Sequence, residues 1–194
     1  MIEEIRAMKF TGFALTVALN IALVACERVA PRAEDPPAAA PAGAADLMDA
    51  KGNKIGTATL TQTDKGVRIQ VQVSGLPPGE HAFHIHAAGK CEPPEFKSAG
   101  GHFNPHAKKH GLENPDGPHA GDLPNLKVAD DGTGTVDVVA ELVTLGDGAN
   151  SLFAGEGTSL MIHEKADDNV SDPAGNAGAR IACGTIRKVE AGKE

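Results

Sequence analysis

Hydrophobic and polar residues alternate along several short segments of the chain. In residues 66–75, every odd position from 67 to 73 is valine or isoleucine, and the even positions between them are polar. Successive side chains of a strand point to opposite faces of a sheet, so this pattern predicts a strand with one buried face. Comparable segments predict further strands at residues 55–63, 81–86, 134–142, 158–164 and 180–189.

Turn signals and two long polar segments separate these strands. Residues 63–66 (Thr-Asp-Lys-Gly) and 130–132 (Asp-Asp-Gly) have the composition of hairpin turns. Residues 87–124 and 164–179 are rich in Gly, Pro, Asn and Asp, and long ordered loops of compact domains are commonly functional. With no helical periodicity, about eight short strands predict an all-β fold, an antiparallel β-sandwich or barrel with two long functional loops.

The first 45 residues lack this pattern. Arg6 and Lys9 precede an uncharged apolar run, residues 10–25, which is shorter than the roughly 20 residues of a membrane span and is typical of a secretory signal. The run ends in Leu-Val-Ala before Cys26, which resembles the lipobox of bacterial lipoproteins and implies cleavage before Cys26 and a lipid on its sulfur. The alternative is an ordinary signal peptide with a cysteine near its cleavage site.

Proline and alanine dominate the segment that follows Cys26, a composition typical of an extended tether. We therefore predict a lipoprotein signal peptide at residues 1–25, a lipidated cysteine and tether at 26–45, and one globular domain at 46–194. We therefore expect the protein to be exported and held in the periplasm or cell envelope. The lipid anchor is then the only membrane contact that we expect.

Composition and charge limit the partners of the domain. The chain carries 18 Lys and Arg against 26 Asp and Glu, a net charge of −8, which disfavours binding to nucleic acid and to anionic membrane surfaces. It has no Trp or Tyr that could stack on bases. The three cysteines make an odd count, and if Cys26 is lipidated, Cys91 and Cys183 are free to pair.

The segment 87–124 holds a set of metal-binding side chains. His102, His110 and His119 are followed there by Asp122. Three imidazoles and one carboxylate make a complete tetrahedral ligand set for zinc, with no position left open, as in a structural site. Such a site would also hold a Gly- and Pro-rich loop in one shape, because metal binding supplies folding free energy.

A second group of histidines belongs to predicted strands. His84 and His86 alternate with Phe83 and Ile85, so the two imidazoles share one face of the strand at 81–86. His163, from a different strand, would complete a nitrogen-rich site. Such sites suit copper, which stands at the top of the divalent affinity order.

Five motifs carry a resemblance to a known family: "AFHIH", "GGHFNP", "HAGDLP", "MIHEKADD" and "GNAGARIACGTI". In their order and ligand spacing, the segment from about Gly56 to Lys188 resembles the bacterial copper,zinc superoxide dismutases. The resemblance implies a Greek-key β-barrel with one copper and one zinc per chain. It also implies dismutation of superoxide, a small anionic substrate, to dioxygen and hydrogen peroxide.

Carried over residue by residue, the resemblance assigns copper to His84, His86, His102 and His163. It assigns zinc to His102, His110, His119 and Asp122. His102 would therefore bridge the two metals.

The resemblance also gives roles to residues outside the ligand sets. Asp167 matches a carboxylate that links one ligand of each site, although such a residue could also be a solvated loop acid. Cys91 and Cys183 match the family's disulfide, with two free buried thiols as the alternative. Arg180 would dock the substrate anion beside copper.

Proton supply and the remaining histidines complete the interpretation. The resemblance further implies that His102 provides a proton as general acid during the second half of the cycle. His81 and His106 match no ligand, and we interpret both as surface residues. Bacterial members of the family differ in their dimer contacts. A homodimer is therefore possible for this chain, but the sequence predicts no interface for it.

Two other functions fit the same ligand set. One is a periplasmic copper- and zinc-binding protein on the same scaffold that has no turnover. The other is a structural lipoprotein that binds metal incidentally. Arg180 favours the enzyme, because a storage protein has no need of an anion dock.

Overall fold

The computed structural model describes residues 43–189, so the predicted signal peptide, Cys26 and nearly all of the tether lie outside the described residues. Strands and one short 3-10 helix make up its regular structure. The strands are β1 (Gly43–Asp49), β2 (Lys54–Thr63), β3 (Gly66–Val73), β4 (Gly79–His81), β5 (Phe83–His86), β6 (Leu126–Val128), β7 (Gly134–Ala140), β8 (Ser159–His163), β9 (Arg180–Thr185) and β10 (Arg187–Lys188). The 3-10 helix spans Lys97–Ala99.

All ten strands belong to one antiparallel sheet. Its order is β4-β6-β7-β3-β2-β1-β9-β8-β5, with β10 paired to β1. The two ends of this order, β4 and β5, follow one another in the chain with only Ala82 between them, so the sheet curls into a nearly closed barrel. Pairing of β4 with β6 and of β5 with β8 across long connections gives the Greek-key pattern. The predicted all-β fold is confirmed.

The core lies inside the barrel and follows the alternation in the sequence. In β3, Val67, Ile69 and Val71 are at most 1% exposed, whereas the polar residues between them face solvent. Phe83 and Ile85 of β5 enter the same core and are fully buried. Burying each such side chain stabilises the fold by about 1.5–3 kcal/mol. The core therefore fixes which face of β5 points outward.

Four elements differ from the sequence-based prediction. The predicted strand at residues 81–86 is interrupted at Ala82, which separates β4 from β5. β1 begins at Gly43, before the predicted start of the domain at residue 46, and was not predicted as a strand because its residues, Gly-Ala-Ala-Asp-Leu-Met-Asp, alternate weakly. β6 has only three residues, too few to show a period. The predicted final strand is divided at Ile186 into β9 and β10.

The two long loops were predicted and are confirmed as loops that pack outside the barrel. A disulfide between Cys91 and Cys183, with Cα atoms 5.6 Å apart, joins the first loop to β9 and confirms the predicted pair. Phe96, fully buried, packs beside it against Met161 in a second apolar cluster. Within residues 43–189, no helix is long and apolar enough to cross a membrane.

Candidate metal centre

Four histidines converge on the outer face of the barrel. His84 and His86 project outward from β5, His163 ends β8, and His102 comes from the first loop through an isolated bridge to His86. One ring nitrogen of each lies within 4.8 Å of those of the others. Although His84 and His86 face away from the core, they are 0% and 1% exposed, because the loops cover them. The structure thus brings together all four residues of the predicted copper set.

Four ring nitrogens of this cluster lack a partner and are available to bind a metal. His84 Nδ1 and the Nε2 atoms of His86, His102 and His163 are buried and have no hydrogen-bond partner within residues 43–189. A buried polar atom left unsatisfied costs about 1–3 kcal/mol, so four in one place need an explanation. A metal ion bound by four imidazole lone pairs provides one, and nitrogen ligands suit copper.

Burial keeps these rings ready to bind a cation. It lowers the pKa of His84 to about 4, against an opposing hydrogen bond to Asp167. Burial likewise lowers the pKa of His86 to about 2 and that of His163 to about 3, and the neighbouring histidines lower them further. The three rings are therefore neutral near pH 7, with lone pairs available to a metal.

A second cluster adjoins the first and contains His102, His110, His119 and Asp122. Asp122 Oδ1 lies 2.9 Å from His102 Nδ1, 3.0 Å from His110 Nδ1 and 3.3 Å from His119 Nδ1. The Nδ1 atoms of His102 and His119 are 3.4 Å apart. A tetrahedral zinc site with bonds of about 2.0 Å has edges of about 3.3 Å, so these spacings fit zinc.

Asp122 also organises the loop that carries the cluster. Its Oδ2 accepts hydrogen bonds from the backbone N–H groups of Gly111 and His119, each at 2.9 Å. Burial would raise the pKa of Asp122, but the hydrogen bonds from His102, His110 and Gly111 hold it well below its usual range. The carboxylate is thus charged and oriented before any metal arrives.

Asp167 connects the two clusters. Its Oδ2 is 2.6 Å from His84 Nε2, and its Oδ1 is 3.0 Å from His110 Nε2. At 5% exposure it is not a solvated loop acid, and Asn125 holds its backbone on both sides. Burial would raise the pKa of Asp167, but the bonds from His110 and His84 keep it low. Such a carboxylate fixes the orientation of rings that bind metal through their other nitrogen.

His110 differs from the other rings in its charge. Burial alone would lower its pKa, but hydrogen bonds to Asp122 and Asp167 outweigh burial and raise the pKa to about 9. In the metal-free protein, His110 is therefore a buried cation between two carboxylates.

Arg180 begins β9, opposite His163 in the sheet register. Its Nη1 donates to the carbonyl oxygen of Phe96 and its Nη2 to that of Gly100, each at 2.6 Å. Gly100 O also accepts from His86 Nδ1 at 2.9 Å. The guanidinium lines a surface cavity of about 410 Å³ together with Lys97 and Gly178. These carbonyl acceptors could not be predicted from the sequence, because every residue has a backbone carbonyl.

The two histidines outside the ligand sets have different surroundings. His106 is exposed, as predicted. The prediction that His81 is a surface residue is wrong, because its side chain is 3% exposed. Its Nδ1 lies 2.8 Å from His163 O, and its Nε2 lies 2.8 Å from Pro77 O. Its position in the sequence alternation groups it with Phe83 and Ile85 rather than with His84 and His86, although Ala82 separates β4 from β5.

A Greek-key barrel with two adjoining, nitrogen-rich ligand clusters on its outer face defines a dinuclear metalloprotein. The family model described as copper/zinc superoxide dismutase (SODC) matches residues 54–186. The chain belongs to the copper/zinc superoxide dismutase family, as its resemblance predicted. The family makes it an oxidoreductase that dismutates superoxide with copper and zinc as cofactors.

Known relatives and solved structures agree with this. The chain is 59% identical over 145 residues to superoxide dismutase [Cu-Zn] 1 of Aquifex aeolicus, covering 74% of this chain and 86% of that protein. A SOD-like protein from Bacillus subtilis superposes with a TM-score of 0.71 at 41% identity, over 73% of this chain and 95% of that one. The Cu/Zn superoxide dismutase of Brucella abortus gives a TM-score of 0.60 at 31% identity, over 74% and 98%.

Proposed function

We propose that this chain dismutates superoxide at a copper centre that His102 bridges to a structural zinc. One observation carries the proposal: His102 Nε2 is buried among three other histidines without a hydrogen-bond partner in residues 43–189, while its Nδ1 belongs to the second cluster. A ring placed in this way offers one nitrogen to each of two metals.

The proposed ligand atoms follow from the geometry. Copper would be held by His84 Nδ1 and by the Nε2 atoms of His86, His102 and His163. Zinc would be held by the Nδ1 atoms of His102, His110 and His119 and by Asp122 Oδ1. When bound, copper supplies the one-electron redox chemistry of the two half-reactions, and zinc supplies a positive charge without redox chemistry.

Arg180 would bind and orient the substrate anion. A guanidinium has five N–H donors, and the carbonyl oxygens of Phe96 and Gly100 engage only two of its nitrogens. Because these two bonds fix its plane, its remaining donors can hold a small anion in one place with little loss of entropy. This use of an arginine distinguishes turnover from metal storage.

His102 would hold and transfer one of the two protons that each hydrogen peroxide requires. The balanced reaction converts two superoxide anions and two protons to dioxygen and hydrogen peroxide. Nε2 of His102 is the nitrogen at which a proton would be held, since Nδ1 remains with Asp122 and the zinc ligands. Proton transfer by a positioned imidazole commonly contributes about 10²–10⁴-fold to a rate.

Substitution of His163 tests the proposal. The protein with His163→Ala, loaded with copper and zinc, should lose superoxide-removing activity by at least about 10- to 100-fold, because losing a ligand should cost no less than losing an outer partner of a ligand. His106→Ala is the control at an exposed histidine. Activity at the parent level in His163→Ala would refute the copper ligand set.

A non-catalytic copper- and zinc-binding protein on the same scaffold is the second candidate. One similar solved structure, from Bacillus subtilis, carries the name SOD-like protein rather than superoxide dismutase. Metal content and superoxide removal, measured on the same preparation, distinguish the two candidates. A protein that holds about one copper and one zinc per chain and removes superoxide supports the enzyme. The same metal content without superoxide removal supports storage.

We also propose that the domain is exported and anchored by a lipid on Cys26. The apolar run at residues 10–25 and the Cys91–Cys183 disulfide support this, because disulfides persist in oxidising compartments. The full chain should then partition with membranes, and Cys26→Ala should move it to the soluble fraction. Equal membrane association of the two proteins would contradict the anchor.

A further inference from the structure

The backbones of the four proposed zinc ligands are held in different ways. Isolated backbone bridges tie His102 and Asp122 to β5. The N–H of His119 donates to Asp122 Oδ2 at 2.9 Å, so this ligand is held by a neighbour three residues away. His110, in contrast, is held from the second loop, which lies far from it in the sequence.

Both backbone hydrogen-bonding groups of His110 are bonded to side chains. Its N–H donates to Asp172 Oδ1 at 2.8 Å. Its carbonyl oxygen accepts from Asn114 Nδ2 at 2.9 Å, and the same amide nitrogen donates to Val170 O at 3.2 Å. Asp172 and Val170 belong to the second loop, so the second loop holds the backbone of a proposed zinc ligand in the first loop.

The turn that carries Asp172 also packs against the ring of His110. A hydrogen bond from the Gly175 N–H to Ser171 O, at 2.7 Å, closes this turn. Gly175 has φ 60°, and a Cβ added there would overlap Asp167 Oδ1 and lie 2.8 Å from His110 Nε2. The turn therefore meets His110 at its ring as well as at its backbone, and these two points fix where the Asp172 carboxylate lies.

Two bonds of different strength join Asp172 to the first loop. Its Oδ2 lies 3.3 Å from Lys109 Nζ, but the two side chains of this ion pair are 40% and 58% exposed, and exposed ion pairs contribute little. The bond from the His110 N–H to Oδ1 is shorter, and a carboxylate acceptor makes it one of the stronger hydrogen bonds. The hydrogen bond, rather than the ion pair, is therefore the link that can hold the backbone of His110.

We propose that Asp172 is a positioning residue for zinc: by accepting the hydrogen bond from the His110 N–H, it fixes the backbone from which that imidazole reaches the metal. The inference rests on the proposed assignment of His110 to zinc, and Asp172 is not itself a ligand. His110 belongs to the cluster that contains Asp122 but not to the four-histidine cluster. Loss of Asp172 should therefore weaken zinc binding more than copper binding.

Three variants separate the hydrogen bond from the ion pair. Asp172→Ala removes both bonds, and because the side chain is 40% exposed, this variant should fold. Asp172→Asn keeps an oxygen acceptor for the His110 N–H and loses the charge. Lys109→Gln removes the ion pair alone. Asp116→Ala, at an exposed aspartate of the first loop, is the matched control.

The experiment measures zinc and copper dissociation constants of each variant by chelator competition. We expect Asp172→Ala to weaken zinc binding by about 10-fold and copper binding by no more than about twofold. Asp172→Asn should recover most of the zinc affinity, because it restores the acceptor. Lys109→Gln and Asp116→Ala should stay within about threefold of the parent for both metals.

Three results would overturn the inference. The first is parent-level zinc affinity in Asp172→Ala. The second is equal weakening of both metals in that variant, which would indicate a role in general stability only. The third is a loss of zinc affinity in Lys109→Gln or Asp172→Asn as large as that in Asp172→Ala, because the ion pair would then be the link that matters.

His110→Ala distinguishes failure of the inference from failure of the proposed zinc site. If His110→Ala binds zinc as the parent does, the proposed zinc site fails, and the inference fails with it. If His110→Ala loses zinc while Asp172→Ala binds it normally, the zinc site stands and only the positioning role of Asp172 is refuted.

Discussion

Arg180 and His86 donate hydrogen bonds to the same acceptor, the carbonyl oxygen of Gly100, over 2.6 Å from Nη2 and 2.9 Å from Nδ1. One residue proposed to bind the substrate anion and one proposed to bind copper are thus fixed relative to each other through a single backbone atom. The distance between anion and metal is then set by the turn that presents this carbonyl.

Replacing Gly100 with alanine should disturb both residues at once. Gly100 has φ 73° and ψ −156°, a conformation almost confined to glycine, and forcing a side chain into it costs about 1–3 kcal/mol. As the turn shifts, we expect superoxide removal to fall by about 10- to 100-fold and the copper spectrum to change.

Gly101→Ala is the matched control for that substitution. Gly101 has no positive φ, and an added Cβ would meet no atom within 4 Å among the residues that the structure describes. Its activity should stay near that of the parent. Equal losses in the two variants would show that the Gly100 carbonyl has no special role.

Asp167→Asn should weaken the metal sites without unfolding the barrel. The amide cannot serve both His84 Nε2 and His110 Nε2 as an acceptor, so one of the two rings loses its support. Removing an outer partner of a metal ligand commonly costs about 10- to 100-fold in metal affinity. Chelator competition on the variant measures this loss, with Asp147→Asn at an exposed position as the control. Unaltered affinities for both metals would refute the linking role of Asp167.

Zinc binding should release a proton from His110 at pH 7. The pKa of His110 in the metal-free protein is about 9, so its Nδ1 carries a hydrogen that a metal must displace. The apparent zinc affinity should therefore rise with pH and level off above about pH 9 as far as His110 is concerned. Calorimetry in buffers of different ionisation enthalpy counts the protons, and zinc binding at pH 7 without proton release contradicts the prediction.

The same shift has a consequence for the stability of the metal-free protein. A pKa raised from 6.5 to about 9 contributes folding free energy that is fully present below pH 6.5 and is lost as pH rises through about 9. Urea denaturation of the metal-free protein across this range should show the decline. If the His110→Gln variant does not show this decline, His110 is the group responsible for it.

Removing the disulfide should lower the free energy of unfolding. Cys91 and Cys183 are 92 residues apart, and closing a loop of that length is worth about 4–5 kcal/mol by chain entropy. Urea denaturation of the metal-free double variant Cys91→Ser and Cys183→Ser measures the difference. Reduction of the parent protein should give a similar value, and a loss below about 1 kcal/mol would contradict the chain-entropy account.

The strands that could be predicted from the sequence are those with one solvent-exposed face and one buried face. β3 alternates strictly, so its limits and its buried positions follow from the pattern. β1 was not predicted from the pattern, because its small residues give little contrast between the two faces of the strand. The ligand clusters were predicted from residue types and from family resemblance, and the structure brings them together.

Two features of the site were not predicted from the sequence. The acceptors for Arg180 are carbonyl groups, which every residue has, so only the folded turn shows which carbonyls are used. His81 is a different case, because its odd number in the alternation groups it with Phe83 and Ile85 rather than with the histidines at 84 and 86. The expectation that an extra histidine lies at the surface overrode that signal. It was wrong because the ring is buried and each of its nitrogens lies 2.8 Å from a carbonyl oxygen, one of His163 and one of Pro77.

β5 has four residues, and they serve two purposes in alternation. Phe83 and Ile85 fill the core, while His84 and His86 turn to the metal centre. A slip of one residue in its pairing with β8 would exchange the two sets, placing imidazoles in the barrel and apolar groups at the metal. A chain folded in the wrong register would therefore lose two of the proposed copper ligands, so copper binding at saturating metal reports on the register of this one short strand.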